Sequence, residues 1–161
     1  MILAPIGSVL ALVFAGYLAM KILKTSEGTD EMIAIADAVR EGSYAYLKRQ
    51  YSGVAIFFGV MFLVLIGLAL ADKLPIFVPF AFLTGGFFSG LAGFIGMSIA
   101  TRSSARTANA AKTSLNAGLN IAFSSGAVMG LVVVGLGLLD LSIWYYLLDW
   151  WYSTHATPHG M

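Results

Sequence analysis

The sequence predicts an all-α membrane protein with four transmembrane helices, and two observations support that prediction. Hydrophobic residues make up 59% of the chain and charged residues only 11%, whereas a soluble domain has about 25% charged residues. The apolar residues also fall into four stretches, at about 2–20, 54–71, 74–100 and 119–139. Each is close to or above the roughly 20 residues that a helix needs to cross a bilayer. We therefore expect an integral membrane protein.

The first apolar stretch is expected to be a retained span. It is apolar apart from Ser8 and is followed by Lys21 and Lys24. A secretory signal carries its positive charge before the apolar run and ends at a small-residue cleavage site. Here the charge follows the run and no such cleavage site follows it, so we expect the N-terminus to lie outside the cell.

An amphipathic helix over about 29–51 is predicted on the cytoplasmic side. Thr29 can cap its N-terminus, and Asp30 and Glu31 place negative charge at the positive end of the helix dipole. Apolar residues then recur at helical spacing, with charged residues on the other side. Because no proline occurs between Glu31 and Leu74, this helix should continue directly into the second span.

The third span is marked by a short connection before it and by small residues within it. Asp72 and Lys73 close the second span, and Pro75 and Pro79 fall in or near a first helical turn, which tolerates a missing N–H. Small residues then recur every four positions in three rows, which are Gly85, Ser89 and Gly93; Gly86 and Gly90; and Ala92, Gly96 and Ala100. Such rows allow close backbone approach in lipid, so we expect other helices to surround this span.

The chain beyond the third span is predicted to form a loop, a fourth span and a tail. The polar segment 101–118 is expected to be a short loop, and Asp140 marks the end of the fourth span. That span carries a further small-residue row, made of Ala122, Gly126 and Gly130. The segment 141–161 is rich in tryptophan and tyrosine, whose rings favour the level of lipid headgroups. We predict it to be an exocytoplasmic aromatic tail.

The distribution of lysine and arginine predicts the orientation, because cytoplasmic loops carry an excess of basic residues. The outer hairpin between the second and third spans has only Lys73. The first and third connections are far more basic and contain Lys21, Lys24, Arg40, Lys48, Arg49, Arg102, Arg106 and Lys112. Both connections are therefore expected in the cytoplasm, with the N-terminus and the aromatic tail outside.

Two charged groups could bind ligands, but each has a simpler explanation. Arg102, Arg106 and Lys112 could meet an anionic substrate or lipid headgroup, yet the positive-inside rule explains them without either. Oxygen ligands for Mg²⁺ could come from the acidic residues of the amphipathic helix, which are Asp30, Glu31, Asp37 and Glu41. We favour a solvated helix face, because Arg40 shares the surface of the second pair and the first pair suits a helix start.

Other site chemistry is disfavoured by residue type or spacing. The chain has no cysteine, which removes disulfides, thiol catalysis and thiolate metal sites. His155 and His159 are separated by Pro158, which prevents the helical geometry of a two-histidine zinc site. Gly85 and Gly86 are not followed by the lysine and hydroxyl residues of a phosphate-binding loop.

Ion transport by this chain alone is also disfavoured. An ionisable residue inside a span is the usual mark of an ion pathway, and none lies near the centre of a predicted span. The net charge of +1 arises from residues at span ends and gives no sign of a nucleic-acid partner. We therefore predict no catalytic, cofactor-binding or metal-binding residue in this chain.

Three stretches of the sequence are distinctive together. They are GTDEMIAIADAVREGSYAYLKRQY from Gly28, SGLAGFIGMSIATRSSARTANAA from Ser89 and GAVMGLVVVGLGLL from Gly126. In this order, they resemble the N-terminal region of the membrane-integral, ion-pumping inorganic pyrophosphatases. The resemblance covers most of the chain from Gly28 to Leu139, whereas the first span and the aromatic tail match only in hydropathy.

The resemblance implies a pump that couples pyrophosphate hydrolysis to proton or sodium transport, a homodimer whose subunits each pack about sixteen membrane helices. By resemblance, this chain supplies the first four helices, all in an outer ring, in the cell membrane of a prokaryote. The family's Mg²⁺ and pyrophosphate site is built from acidic motifs on later helices, and none of those motifs occurs here. The ion pumped and any K⁺ requirement depend on the same later regions. We therefore expect this chain alone to be inactive.

A self-standing four-helix membrane protein is the alternative, either a scaffold or an accessory subunit. It would bind partner helices through its glycine faces. The coding frame beyond Met161 separates the two hypotheses. A stop codon would favour the scaffold, and further helices with Asp-rich motifs would favour the pump.

Overall fold

The computed structural model describes residues 2–155, and over that range the chain forms four α-helices and no strand. The helices are α1 (Leu3–Leu23), α2 (Asp30–Leu70), α3 (Phe77–Thr113) and α4 (Leu115–His155). Each is long and apolar enough to cross a membrane. The predicted all-α membrane fold is confirmed.

Helix α2 is continuous through the predicted amphipathic segment and the second span, as expected. The Thr29 hydroxyl accepts a hydrogen bond from the Met32 N–H at 3.4 Å, and Asp30 and Glu31 lie in the first turn. At 1.5 Å per residue, 41 residues extend about 60 Å, roughly twice the thickness of a hydrocarbon core. One end of α2 must therefore project well beyond the membrane.

The predicted loop over 101–118 is wrong, because α3 continues to Thr113 and α4 begins at Leu115. The hydroxyl groups that suggested a loop are satisfied inside the helix: Thr101 donates to the Met97 carbonyl at 2.9 Å. The segment 101–113 contains no glycine or proline to end the helix. Ser114 alone is extended, and its hydroxyl accepts a hydrogen bond from the backbone of Ala117 at 3.1 Å, which caps α4.

The aromatic segment from 141 to 155 is the last part of α4, so it is not separate from the fourth helix. It packs against the start of α3, where the Trp144 indole donates to the Thr84 hydroxyl at 2.7 Å. The rings of Phe77 and Trp151 also meet edge to face, with centroids 5.4 Å apart. The remainder of the predicted tail, 156–161, lies outside the described residues.

Helices α3 and α4 form a central antiparallel pair. Their contacts run from Thr84 with Trp144 at one end to Ser103 with Ser125, whose hydroxyl oxygens lie 2.7 Å apart, towards the other. Helix α1 packs mainly on α4, and α2 packs on α3. Within the described chain, α1 and α2 make no helix-to-helix contact. The connection from 24 to 29 must therefore cross the end of the central pair.

Small residues bring the helices together at several of the predicted positions. At Gly135, which is not one of the predicted positions, a Cβ atom would lie 2.8 Å from the Leu12 side chain, and the Gly135 carbonyl accepts a hydrogen bond of 2.7 Å from the buried Ser8. At Gly86 a Cβ would overlap the ring of Phe58. The row of Ala122, Gly126 and Gly130, by contrast, is exposed. In the third span, Gly85, Gly86, Gly93 and Gly96 meet other helices as predicted, whereas Ser89 and Ala100 are exposed. In the α4 row, Gly126 and Gly130 have no neighbour within 4 Å among the described helices.

Two glycines of α4 provide a matched test of this packing. Gly135→Ala places a methyl group against Leu12 and 3.3 Å from the Ser8 carbonyl, and overpacking of this kind costs about 1–3 kcal/mol. Gly137→Ala meets nothing within 4 Å and gains helix propensity. We expect thermal unfolding in detergent to shift downward for Gly135→Ala and to stay level or rise for Gly137→Ala. Equal shifts would show that α1 does not approach α4 closely at Gly135.

Candidate functional site: a charged junction at the α1–α2 connection

The main cluster of charged side chains lies where the α1–α2 connection crosses α3, and we call it the charged junction. It consists of Glu27, Asp37, Arg40 and Arg106. The Glu27 carboxylate lies 2.6 Å from the guanidinium of Arg40 and 2.6 Å from that of Arg106. Arg40 also contacts Asp37 at 2.7 Å. The side chains of Glu27, Arg40 and Arg106 are only 11–18% exposed, so most of the junction is shielded from water.

Arg106 binds the connection by its backbone as well as by its charge. Its Nε donates to the Thr25 carbonyl at 2.9 Å, and Nη2 donates to the Leu23 carbonyl at 3.4 Å. Nη1 also donates to the Arg102 carbonyl within α3. A guanidinium has five donors in a rigid planar fork, and here they join the end of α1, the connection and α3. One side chain therefore joins α3 to the end of α1 and the connection, which lie about 80 positions earlier in the chain.

Gly28 allows the connection to turn into α2 at this point. Its φ of +102° is in the left-handed region, which favours glycine. A Cβ atom there would lie 2.7 Å from the Met32 sulfur and 2.9 Å from the Asn109 side-chain oxygen. The Asn109 amide in turn donates to the Ser26 carbonyl at 3.4 Å. The turn thus needs glycine both for its backbone angle and for its space.

The electrostatics of the junction are balanced. The hydrogen bond from Arg40 to Glu27 raises the pKa of the Arg40 guanidinium, despite the opposing effect of burial. Two carboxylates face two guanidinium groups, so little charge is left to attract an anion. Beside it, the nearby Ser98 hydroxyl, more than the charge of Arg102, lowers the pKa of the Tyr44 phenol. The contacts of Arg40 with Glu27 and Asp37 stabilise its ionised form, and such pairing suits a structural role.

The basic residues singled out from the sequence do not converge on one site. Arg106 is buried in the junction, whereas Arg102 and Lys112 are exposed. The three side chains therefore do not form a common binding site for an anion. The topological explanation stays a prediction for the two exposed residues, and Arg106 binds the connection.

The acidic residues do not form a magnesium site either. Asp30, Glu31 and Glu41 are exposed, and Asp37 is paired with Arg40. No group of three histidine or acidic side chains in the part of the chain that is described could hold a metal ion. The residues present therefore do not fit Mg²⁺. Of the histidines considered for zinc, His159 and the side chain of His155 lie outside the described structure.

Sequence reasoning assigned no role to Glu27, the residue at the centre of the junction. Glu27 lies in an otherwise basic connection and directly precedes a glycine, which is the one local signal that could have drawn attention to it. Its partner Arg106 is 79 positions away in the chain, so no sequence spacing links the two. The pairing follows only from the packing of α3 under the connection.

Chemically, the junction can hold helices but has no feature of an active site. Its carboxylates are already paired with arginines, and no nucleophile is activated by a neighbouring base among these residues. Its polar groups are mostly used in bonds to the chain's own backbone or to each other. It is therefore a structural clamp at one end of the four-helix unit.

Comparison with known proteins identifies the family. The model of the family described as inorganic H⁺ pyrophosphatase matches residues 9–160. A putative K⁺-stimulated pyrophosphate-energized sodium pump from Bacteroides thetaiotaomicron is 60% identical over 148 residues, covering 91% of this chain and 20% of that protein. A K⁺-insensitive pyrophosphate-energized proton pump from Methanosarcina mazei is 44% identical over 144 residues, covering 89% of this chain and 21% of its own length.

A third relative extends the same pattern. The K⁺-insensitive pyrophosphate-energized proton pump 2 of Moorella thermoacetica is 42% identical over 142 residues, covering 88% of this chain and 20% of that pump. The chain thus spans about one fifth of the length of these curated relatives. Because the family model matches nearly the whole sequence, this chain belongs to the inorganic H⁺ pyrophosphatase family.

Proposed function

We propose that this chain is the first part of a pyrophosphate-energised ion pump, to which it contributes four outer helices. The observation that carries the proposal is the match of about nine tenths of the chain to proteins named as such pumps, at only one fifth of their length. The pump would couple hydrolysis of inorganic pyrophosphate to movement of protons or sodium ions across the cell membrane. A scaffold or accessory role has no comparable observation in its favour.

The outer surface of the four helices supports this assignment. Large apolar side chains on α1, α2 and α4 are exposed, among them Phe14, Phe57, Leu63, Phe123 and Val134. These faces suit lipid or further helices, because apolar surface in a membrane needs no cover from water. The open row of Ala122, Gly126 and Gly130 on α4 suits close approach by another helix. We assign that row to later helices of the same subunit.

The chemistry of the pump belongs to those later helices. Pyrophosphate carries several negative charges, and Mg²⁺ would bridge and neutralise its oxygens using several convergent carboxylates. In the described chain the carboxylates of α2 are exposed or paired with Arg40. We therefore propose that the Mg²⁺ site and any K⁺ site lie beyond this chain, and that the complete subunit forms a homodimer. The role left to these four helices is to frame the pump.

Activity provides the direct test of this proposal. The 161-residue chain, purified and assayed with Mg²⁺ and pyrophosphate, should release phosphate at the buffer rate, because its described residues contain no group of acidic or histidine side chains that could hold Mg²⁺. The complete subunit should hydrolyse pyrophosphate. In vesicles it should also transport ions into the interior, which would show as acidification for protons or as accumulation for sodium. The proposal would be contradicted if the short chain hydrolysed pyrophosphate and the double variant Asp37→Ala/Glu41→Ala did not. That result would place a site on α2.

Orientation can be tested because the chain has no native cysteine. We propose that the α1–α2 and α3–α4 connections face the cytoplasm. Single cysteines at the exposed positions Ser26 and Ser114 should then react with an impermeant maleimide only in inverted vesicles. Lys73→Cys, which is exposed on the opposite hairpin, should react only from outside intact cells. The reverse pattern would invert the topology.

A further inference from the structure

Asp140 is an acidic residue of α4 with no partner in the described part of the chain. One of its carboxylate oxygens, Oδ1, is enclosed by protein and makes no hydrogen bond. The ion pairs of the described residues involve only Arg40 and Arg106 as cations, both in the charged junction. The other oxygen, Oδ2, lies 3.6 Å from the position that a Cβ would take at Gly85 on α3. Asp140 therefore faces the seam between α3 and α4.

The contact with Gly85 places Asp140 at membrane depth. Gly85 follows the first residue of α3, Phe77, by eight positions, about 12 Å along the helix at 1.5 Å per residue. It lies near the middle of the predicted third span, 74–100. One turn further along α4, the Trp144 indole donates to Thr84, the residue before Gly85. Sequence reasoning placed Asp140 at the end of the fourth span, but the antiparallel packing puts it beside the third.

An unpaired carboxylate at this depth is costly. Acidic residues inside membranes face the interior of a bundle, where they pair with cations or other donors. The described helices offer Asp140 no such group, and Oδ2, the oxygen that is not enclosed, is the one that a group from outside the four helices can reach. The four helices alone therefore leave Asp140 without the partner that its position requires.

We infer that Asp140 is the docking position for a lysine or arginine side chain on a later helix of the same subunit. The inference rests on the proposed function, in which most of the subunit lies beyond this chain. Charge complementarity identifies the partner, since a cation is the group that most strongly satisfies a carboxylate away from water. The approach is to Oδ2, because only Oδ1 is enclosed, and Ser89, one turn from Gly85 along the same row, is exposed.

The inference predicts that one substitution has opposite effects in two contexts. In the 161-residue chain, Asp140→Asn removes an unpaired charge, so the unfolding temperature should stay level or rise. In the complete subunit the same change would leave a buried cation without its carboxylate, which is strongly destabilising. There the unfolding temperature in detergent should fall by several degrees. Asp149→Asn, on the exposed end of α4, is the matched control and should be silent in both.

Two results would overturn the inference. An unchanged unfolding temperature for Asp140→Asn in the complete subunit would show that no cation depends on this carboxylate. An equal fall in both proteins would show that Asp140 acts within the four helices only. Pyrophosphate hydrolysis by the unsubstituted complete subunit separates the docking inference from the proposed function. If that subunit hydrolyses pyrophosphate but Asp140→Asn leaves its unfolding temperature unchanged, the docking inference fails and the proposed function stands.

A labelling measurement in the complete subunit keeps the inference testable if the short chain does not fold. In a background without other cysteines, Asp140→Cys should be protected from a membrane-permeant maleimide, because the later helix covers it. Asp149→Cys should react. Reaction of both at the same rate would show that water reaches position 140 in the complete subunit, so that no helix covers it, and would overturn the inference.

Discussion

Arg106 donates hydrogen bonds to the backbone of the α1–α2 connection and pairs with Glu27 within it, and the arrangement of the helices depends on this crossing. Helix α1 packs mainly on α4 while α2 packs on α3, so α1 and α2 are consecutive in the chain but are not neighbours. Apolar burial gains nothing between helices in lipid, and it cannot select this order over a simple succession of hairpins. Buried polar contacts between distant segments can select this helix order, because burying a guanidinium or carbonyl group without a hydrogen-bond partner is costly.

Close backbone approach adds to that selection along the membrane-spanning part. The Gly135 carbonyl accepts a hydrogen bond from the Ser8 hydroxyl, and the missing side chain leaves room for Leu12. These contacts join α1 closely to α4. Tyr51 of α2 donates to the Gly90 carbonyl of α3 at 2.6 Å. The junction and these small-residue contacts thus act at different depths of the same four-helix unit. The open α4 row and Asp140 are the positions of this unit that we propose later helices cover.

Much of this fold could be predicted from the sequence, because its signals are local. The Thr29 cap and the absence of proline predicted a continuous α2, which the structure confirms. The loop predicted over 101–118 was wrong. Serine and threonine are common in loops, but here their hydroxyls donate to carbonyls of the preceding helical turn, so the helix continues. The partners of Arg106 and the surroundings of Asp140 could not be predicted, because each joins residues that are more than 50 positions apart and depends on which helices pack together.

The measurement that tests the crossing most directly compares Arg106→Lys with Arg102→Lys. Lysine keeps the positive charge but cannot bond Glu27 and the Thr25 and Leu23 carbonyls together. Loss of these buried bonds should lower the free energy of unfolding of the 161-residue chain by roughly 1–3 kcal/mol. The exposed Arg102 contributes only its backbone carbonyl to the junction, so Arg102→Lys should leave unfolding unchanged. Equal stability of the two variants would contradict the central role of Arg106.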